Sequence, residues 1–204
     1  MTRGAGSLPR LMLIADPAED ALVPRLRGAL ALLPAGAALV QLRGPRAGGR
    51  ALLAEAAALR ALTAELGARL LVSDRVDVAL AVRADGVQLP ERGLPVGEAR
   101  ALLGPGALIG RSIHDATGGH AAESAGADYL VAAPVFDVPG KGAPLGLAGL
   151  RAICEAARLP VFALGGVTPV RARSCLEAGA HGVARLRGWE GDLAELATLL
   201  ECRR

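Results

Sequence analysis

Eight short apolar runs, each followed by a stretch with helical spacing, recur along the 204 residues of this chain, and that alternation limits its fold more than any single motif. The runs fall at 11–14, 38–42, 70–72, 86–89, 108–112, 128–132, 161–164 and 182–186. Alternating with them, residues 21–33, 51–66, 76–82, 96–103, 116–125, 147–157, 170–178 and 193–200 place apolar side chains at the three- and four-residue intervals of one helical face. Pro34 with Gly36, Gly67, and Gly104 with Pro105 supply stops for the first, second and fourth helices. Strands this short and apolar need cover on both faces, which a parallel sheet wrapped by helices provides. A single series of eight such units predicts a compact (β/α)8 TIM barrel, one domain over 1–204, with a doubly wound open sheet as the alternative.

Composition narrows the partners. With 52% hydrophobic and 21% charged residues, and a mean hydropathy of +0.38, the chain has ample material for a core. Arg, Asp or Glu interrupts every apolar run before the roughly 20 residues of a membrane span, and the first ten residues lead into no signal-like segment. A cytoplasmic protein without membrane contact is therefore expected. Aromatic residues are 2% and the net charge of +3 is spread along the chain, which disfavours nucleic acid and suits a small anion. Cys154, Cys175 and Cys202 lie far apart with no paired spacing, so ordinary buried thiols are expected rather than zinc or disulfides. The sequence leaves self-association open.

In a barrel, the residues just after each strand share one rim, where such folds keep their chemistry. Gly165-Gly166 after the seventh strand and Arg187-Gly188 after the eighth occupy the loops that commonly hold phosphate, although a tight turn alone would also call for glycine. Arg43 ends the second strand, as an anion clamp or as a surface residue. Asp74 is a candidate metal ligand, with helix capping the slightly favoured reading, and one carboxylate is a weak magnesium site. Gln88 and Ser112 are polar at strand ends. His114 is the only rim histidine and suits proton transfer near neutral pH, unless it merely bonds its loop neighbours. His120 falls within a helix and His181 on the opposite rim. Basic residues comprise 22 Arg and one Lys, so the surviving Lys141, in the glycine-rich loop 133–146, reads as a lid cation for phosphate or a solvated side chain. Alternation places Val183, Arg185 and Arg187 on one face of the last strand, inner or outer.

These blocks together resemble the thiamine phosphate synthase/TenI family of (β/α)8 barrels. The resemblance runs through Val40-Gln41-Leu42-Arg43, the segment from Leu71 to Ala79 with Ser73-Asp74-Arg75, Ala84-Asp85-Gly86-Val87-Gln88-Leu89, Ile109 to His114, Gly126-Ala127-Asp128-Tyr129, Pro134-Val135-Phe136 and Ala163-Leu164-Gly165-Gly166-Val167. It implies a thiazole phosphate as ligand and places Arg43, Asp74, Ser112, Lys141 and Gly166 at family positions. Synthases of the family join a thiazole phosphate to hydroxymethylpyrimidine pyrophosphate using magnesium. Several positions depart from that pattern: Pro45 stands for a lysine, Ser73 for an asparagine, and Gln88 to Gly93 for His-x-Gly-Gln-x-Asp. Val138-Pro139-Gly140-Lys141 stands for Thr-x-Thr-Lys.

The Gln88-Leu89-Pro90 and Gly110-Arg111-Ser112-Ile113-His114 stretches look instead like the TenI branch, tautomerases that aromatise a carboxythiazole phosphate without metal or cofactor. The histidine that branch uses before Val-Phe is Pro134 here. The leading expectation is thus a TenI-like tautomerase, with His114 and Ser112 catalytic and Arg43, Asp74, Gln88 and Lys141 binding substrate. Gly165, Gly166, Arg187 and Gly188 would hold its phosphate. The alternatives are the magnesium-dependent synthase and a non-catalytic binder of thiazole or thiamine phosphate.

Overall fold

Each apolar run becomes a strand because its side chains find cover on both sides, as the computed structural model shows for residues 8–186, 188 and 191–201. Strands β1 (Leu11–Ala15), β2 (Ala38–Leu42), β3 (Arg69–Ser73), β4 (Gly86–Leu89), β5 (Leu108–Ile113), β6 (Tyr129–Ala132), β7 (Val161–Leu164) and β8 (Gly182–Arg185) alternate with eight helices. These are α1 (Leu22–Ala31), α2 (Gly49–Leu66), α3 (Val76–Val82), α4 (Val96–Leu103), α5 (Ala116–Ser124), α6 (Gly146–Ala156), α7 (Pro169–Glu177) and α8 (Leu193–Glu201). All strand pairs are parallel in sequence order, and β8 pairs with β1 to close the barrel. The open-sheet alternative is excluded by that closure.

Register sorts the side chains. Met12, Ile14, Leu39, Leu71, Tyr129, Val131, Phe162 and Ala184 form one buried cluster inside the barrel, while Leu11, Leu13, Val40, Leu42, Val72 and Val183 pack outward with the helices. Pairing follows the same parity, Gln41 with Ile14 and Leu71, Gln88 with Ser73 and Gly110, and Ser112 with Val131. Gln41, Ser73, Gln88 and Ser112 therefore face inward near the C-terminal ends of their strands, putting a polar tier above an apolar floor.

The helices present matching faces. In α2 the buried residues Leu52, Ala56, Leu59, Leu62 and Thr63 recur at helical spacing. Asp115 caps α5, accepting from Gly118 N at 2.7 Å, and Thr168 caps α7 with Pro169 in its first turn. None of the described helices is long and apolar enough to cross a membrane.

Candidate functional site at the C-terminal rim

The barrel brings the ends of β2, β3, β4 and β5 and the loops after β6, β7 and β8 to one rim. Arg43, the first residue beyond β2, donates its backbone N–H to Ala15 O at 2.8 Å. Its half-buried guanidinium has no partner among the described residues. Gly44 lets the chain turn there, since a Cβ would lie 2.6 Å from Pro17 Cγ and 3.0 Å from Leu52 Cδ1. Beneath Arg43 sits Gln41, only 3% exposed on the inner face. Sequence reading did not place Gln41 in the site. Its polar side chain inside an apolar strand, in the same parity as Leu39, was the available signal.

Asp74 does not cap α3, which corrects the favoured capping reading. Arg75 is the residue before that helix, and no side chain caps it. Asp74 instead adopts a left-handed backbone conformation at φ +60°, a strained position for a residue with a Cβ, held here at the rim. Its N–H donates to Gln88 O at 3.0 Å. The carboxylate lies over the β4–α4 loop, where a Cβ on Gly93 would sit 2.7 Å from Oδ1, and it accepts no hydrogen bond from the described residues. Arg75 is engaged by Asp77 at 2.8 and 2.6 Å, and that hydrogen-bonded guanidinium holds the Asp77 carboxyl down at about 2. Asp74 is thus left as an exposed carboxylate, its neighbouring cation Arg75 giving its hydrogen bonds to Asp77 instead.

Gln88 is buried, and its Nε2 donates to Ser112 Oγ at 3.1 Å. His114 stands beyond β5 and is exposed. Its Nδ1 is hydrogen-bonded to the Ala133 carbonyl, and its Nε2 lies 3.8 Å from Glu91 Oε2. Arg111 braces the same region from outside, donating to Leu94 O at 2.8 Å and Glu91 O at 2.5 Å. His114 therefore ties the loops after β4, β5 and β6 together. His181, on the opposite rim, bonds Leu8 O at 3.0 Å and meets Phe162 edge-on.

The loop 133–146 is pinned at its base by Leu145 N to Pro134 O at 2.8 Å and Gly146 N to Val135 O at 2.9 Å. Its tip turns through Lys141 N to Val138 O at 3.0 Å, leaving the Lys141 ammonium exposed and without a described partner. Gly165 and Gly166 both have positive φ, +101° and +65°. The sixth loop crosses directly over them: added Cβ atoms would meet Pro134 Cα and Phe136 Cβ, each at 2.9 Å. Arg171 secures the turn, donating to Gly166 O at 2.8 Å and stacking 4.6 Å over the Phe136 ring. The N–H groups of Gly166 and Val167 have no backbone acceptor among the described residues. The turn and anion readings of these glycines are compatible, because the same positive φ values that fit the crossing loop free those N–H groups.

Arg187 lies outside the described residues. Gly188 is exposed at φ +63°, and its carbonyl accepts from Arg185 Nη2 at 3.0 Å. Arg185 itself faces outward and also pairs with Asp192, which settles its orientation. Among the described residues no group of three or more His, Cys, Asp or Glu side chains forms a metal cluster. Cys154 and Cys175 are free thiols, pushed up to about 11 by burial; Cys202 lies outside the described residues. Chemically, the described residues of the rim combine the Arg43 and Lys141 cations, open backbone N–H groups and the exposed Asp74 carboxylate, a set suited to a phosphorylated ligand and a hard divalent cation.

The family model TMP-TENI, described as thiamine monophosphate synthase, matches residues 11–188. A thiamine-phosphate synthase of Methanoculleus marisnigri is 43% identical over 173 residues, covering 82% of this chain and 82% of that protein. One of Moorella thermoacetica is 42% identical over 162 residues, covering 78% and 76%. The solved thiamine phosphate pyrophosphorylase of Pyrococcus furiosus superposes with a TM-score of 0.82 at 37% identity, covering 96% of this chain and 94% of that one. These findings overturn the tautomerase as the leading reading, since relatives this similar over most of their length bear the synthase name. Departures from the synthase pattern such as Pro45 and Ser73 do not outweigh that similarity, and the rim keeps Arg43, Asp74 and Lys141.

Proposed function

The chain belongs to the thiamine monophosphate synthase family, and we propose that it is a thiamine-phosphate synthase. The observation that carries this reading is the 43% identity to a thiamine-phosphate synthase over four fifths of both chains. In the reaction, a thiazole ring atom with a free electron pair bonds to the pyrimidine methylene carbon. The carbon–oxygen bond to pyrophosphate breaks, and pyrophosphate leaves with the bonding pair.

The departing group is a concentrated anion, so catalysis depends on charge placed where it develops. Arg43 and Lys141 supply cations without competing partners among the described residues, and Ser112 supplies a hydroxyl at the inner edge. Gln41 and Gln88 line the polar tier beneath the substrates. The turn at Gly165 and Gly166 receives the thiazole phosphate through the open N–H groups of Gly166 and Val167. Asp74 would hold magnesium, which would supply positive charge against the pyrophosphate oxygens. His114 serves as a strut between loops in this reading, and no proton transfer is assigned to it.

Expression in a bacterium lacking its own synthase tests the assignment. Growth without thiamine is expected for the wild type and lost or slowed for Asp74→Asn; failure of well-expressed wild type to restore growth would argue against a synthase.

A further inference from the structure

Three polar side chains on neighbouring strands lie close together inside the barrel. Tyr129 on β6 is fully buried on the inner face, yet its hydroxyl has no hydrogen-bond partner among the described residues. Gln88 on β4 gives its Nε2 to Ser112 Oγ at 3.1 Å and faces Leu89 O at 3.4 Å, while its buried Oε1 has no partner. The Leu89 carbonyl fixes which end of the carboxamide is nitrogen, because an oxygen there would face another oxygen. Gly110 on β5 explains how the groups meet. A Cβ at that position would lie 2.1 Å from Tyr129 Cζ and 2.3 Å from Gln88 Oε1, so phenol and carboxamide lie against each other in the space glycine leaves. An apolar pair would fill this space without two buried polar atoms to satisfy.

We propose that Tyr129 and Gln88 form a buried hydrogen-bonded relay that aims the Ser112 hydroxyl at an anionic substrate oxygen on the rim. Tyr129 Oη donates to Gln88 Oε1, which turns to meet it by rotation about the last torsion of the side chain, a soft one. Gln88 Nε2 donates to Ser112 Oγ. With that lone pair engaged, the Ser112 proton points to the open end of the barrel. Burial, and secondarily the Asp128 charge, push the Tyr129 phenol upward, which keeps it a neutral donor. No proton is transferred along the line; Tyr129 and Gln88 are positioning residues, and bonds in series polarise one another. The inference rests on the anion-binding rim proposed above and is independent of which bond is made there.

The test is a calorimetric titration of inorganic pyrophosphate with magnesium into wild type, Tyr129→Phe, Ser112→Ala and the double variant. Tyr129→Phe is expected to weaken binding about 3–10-fold and Ser112→Ala by at least as much. The double variant should bind no more weakly than Ser112→Ala, because Tyr129 acts through the serine. Independent, additive losses would overturn the relay, as would a wild type that does not bind pyrophosphate. A second readout uses the fact that Tyr129 is the only tyrosine of the chain. A 13Cζ label gives one phenol resonance, expected to shift in Gln88→Met; an unchanged resonance would overturn the Tyr129–Gln88 bond. Non-additive binding without thiamine phosphate formation would overturn the reaction assignment and leave the relay standing. Turnover with additive binding losses would do the reverse.

Discussion

Arg43 presents a half-buried guanidinium to the rim with no described partner, and that is where loss of charge should be felt most directly. Arg43→Ala is expected to lower kcat/KM about 10–100-fold, the weight of one charge-assisted contact. Arg43→Lys should recover only part of it, since a point charge cannot replace a planar fork. Steady-state kinetics against the pyrophosphate substrate decide the matter; equal activity in Arg43→Ala would remove the residue from the site. Asp74→Asn should raise the magnesium concentration for half-maximal activity about tenfold or more, measured by titrating the metal at fixed substrate. Both side chains were legible in the sequence as rim residues. The left-handed backbone of Asp74 was not, because Ser73-Asp74-Arg75 ahead of a helix reads equally well as a cap, and only the φ of +60° distinguishes them. Gln41 and Tyr129 were missed for a related reason. Strand patterns are read from apolarity, and a tyrosine or a single glutamine in an apolar run passes as core.

At the scale of single elements, the opposite rim repeats one device. Asp85, just before β4, accepts from Arg60 at 2.7 Å and Leu70 N at 2.7 Å. Asp128, just before β6, accepts from Arg100 at 2.6 Å and Ile109 N at 2.8 Å. Each carboxylate ties the N–H of the neighbouring strand's second residue to a helix-borne arginine. Asp85→Ala should cost about 2–3 kcal/mol and lower Tm by roughly 4–12 °C, with kcat at 25 °C unchanged because the rim of the site is untouched. Calorimetry beside kinetics checks both halves. Sequence periodicity located every strand and helix in order but not their ends. Helix α2 begins at Gly49, earlier than apolar spacing indicated, because Gly49 and Arg50 form an exposed first turn. Strand β5 continues to Ile113 because Ile113 pairs with Ala132 on β6.

For the whole molecule, closure of the barrel makes the two rims different in kind, one holding the chemistry and the other the stability. The lower rim also sets a pH limit. Burial holds the His181 imidazole below its ordinary 6.5 in the folded chain, so around and below that pH the unfolded chain binds a proton the folded chain does not. Stability contributed by neutral His181 is therefore present above pH 6.5 and lost as pH falls toward the folded value. Urea unfolding at pH 7.5 and 5.5 should show a smaller pH difference for His181→Gln than for wild type. The eightfold alternation made the barrel legible because every strand is an apolar run, and register then settled what alternation alone could not, the outward direction of Arg185. The reaction was legible only as one of several. The sequence shows which motif residues are replaced, while anion binding depends on which cations the fold leaves unpaired.

Direct turnover by the purified protein tests the central claim. With thiazole phosphate, hydroxymethylpyrimidine pyrophosphate and magnesium, thiamine phosphate and pyrophosphate should form in equal amounts, and omission of either substrate or the metal should abolish both. No product from the complete mixture, with a folded protein and intact substrates, would contradict the assignment.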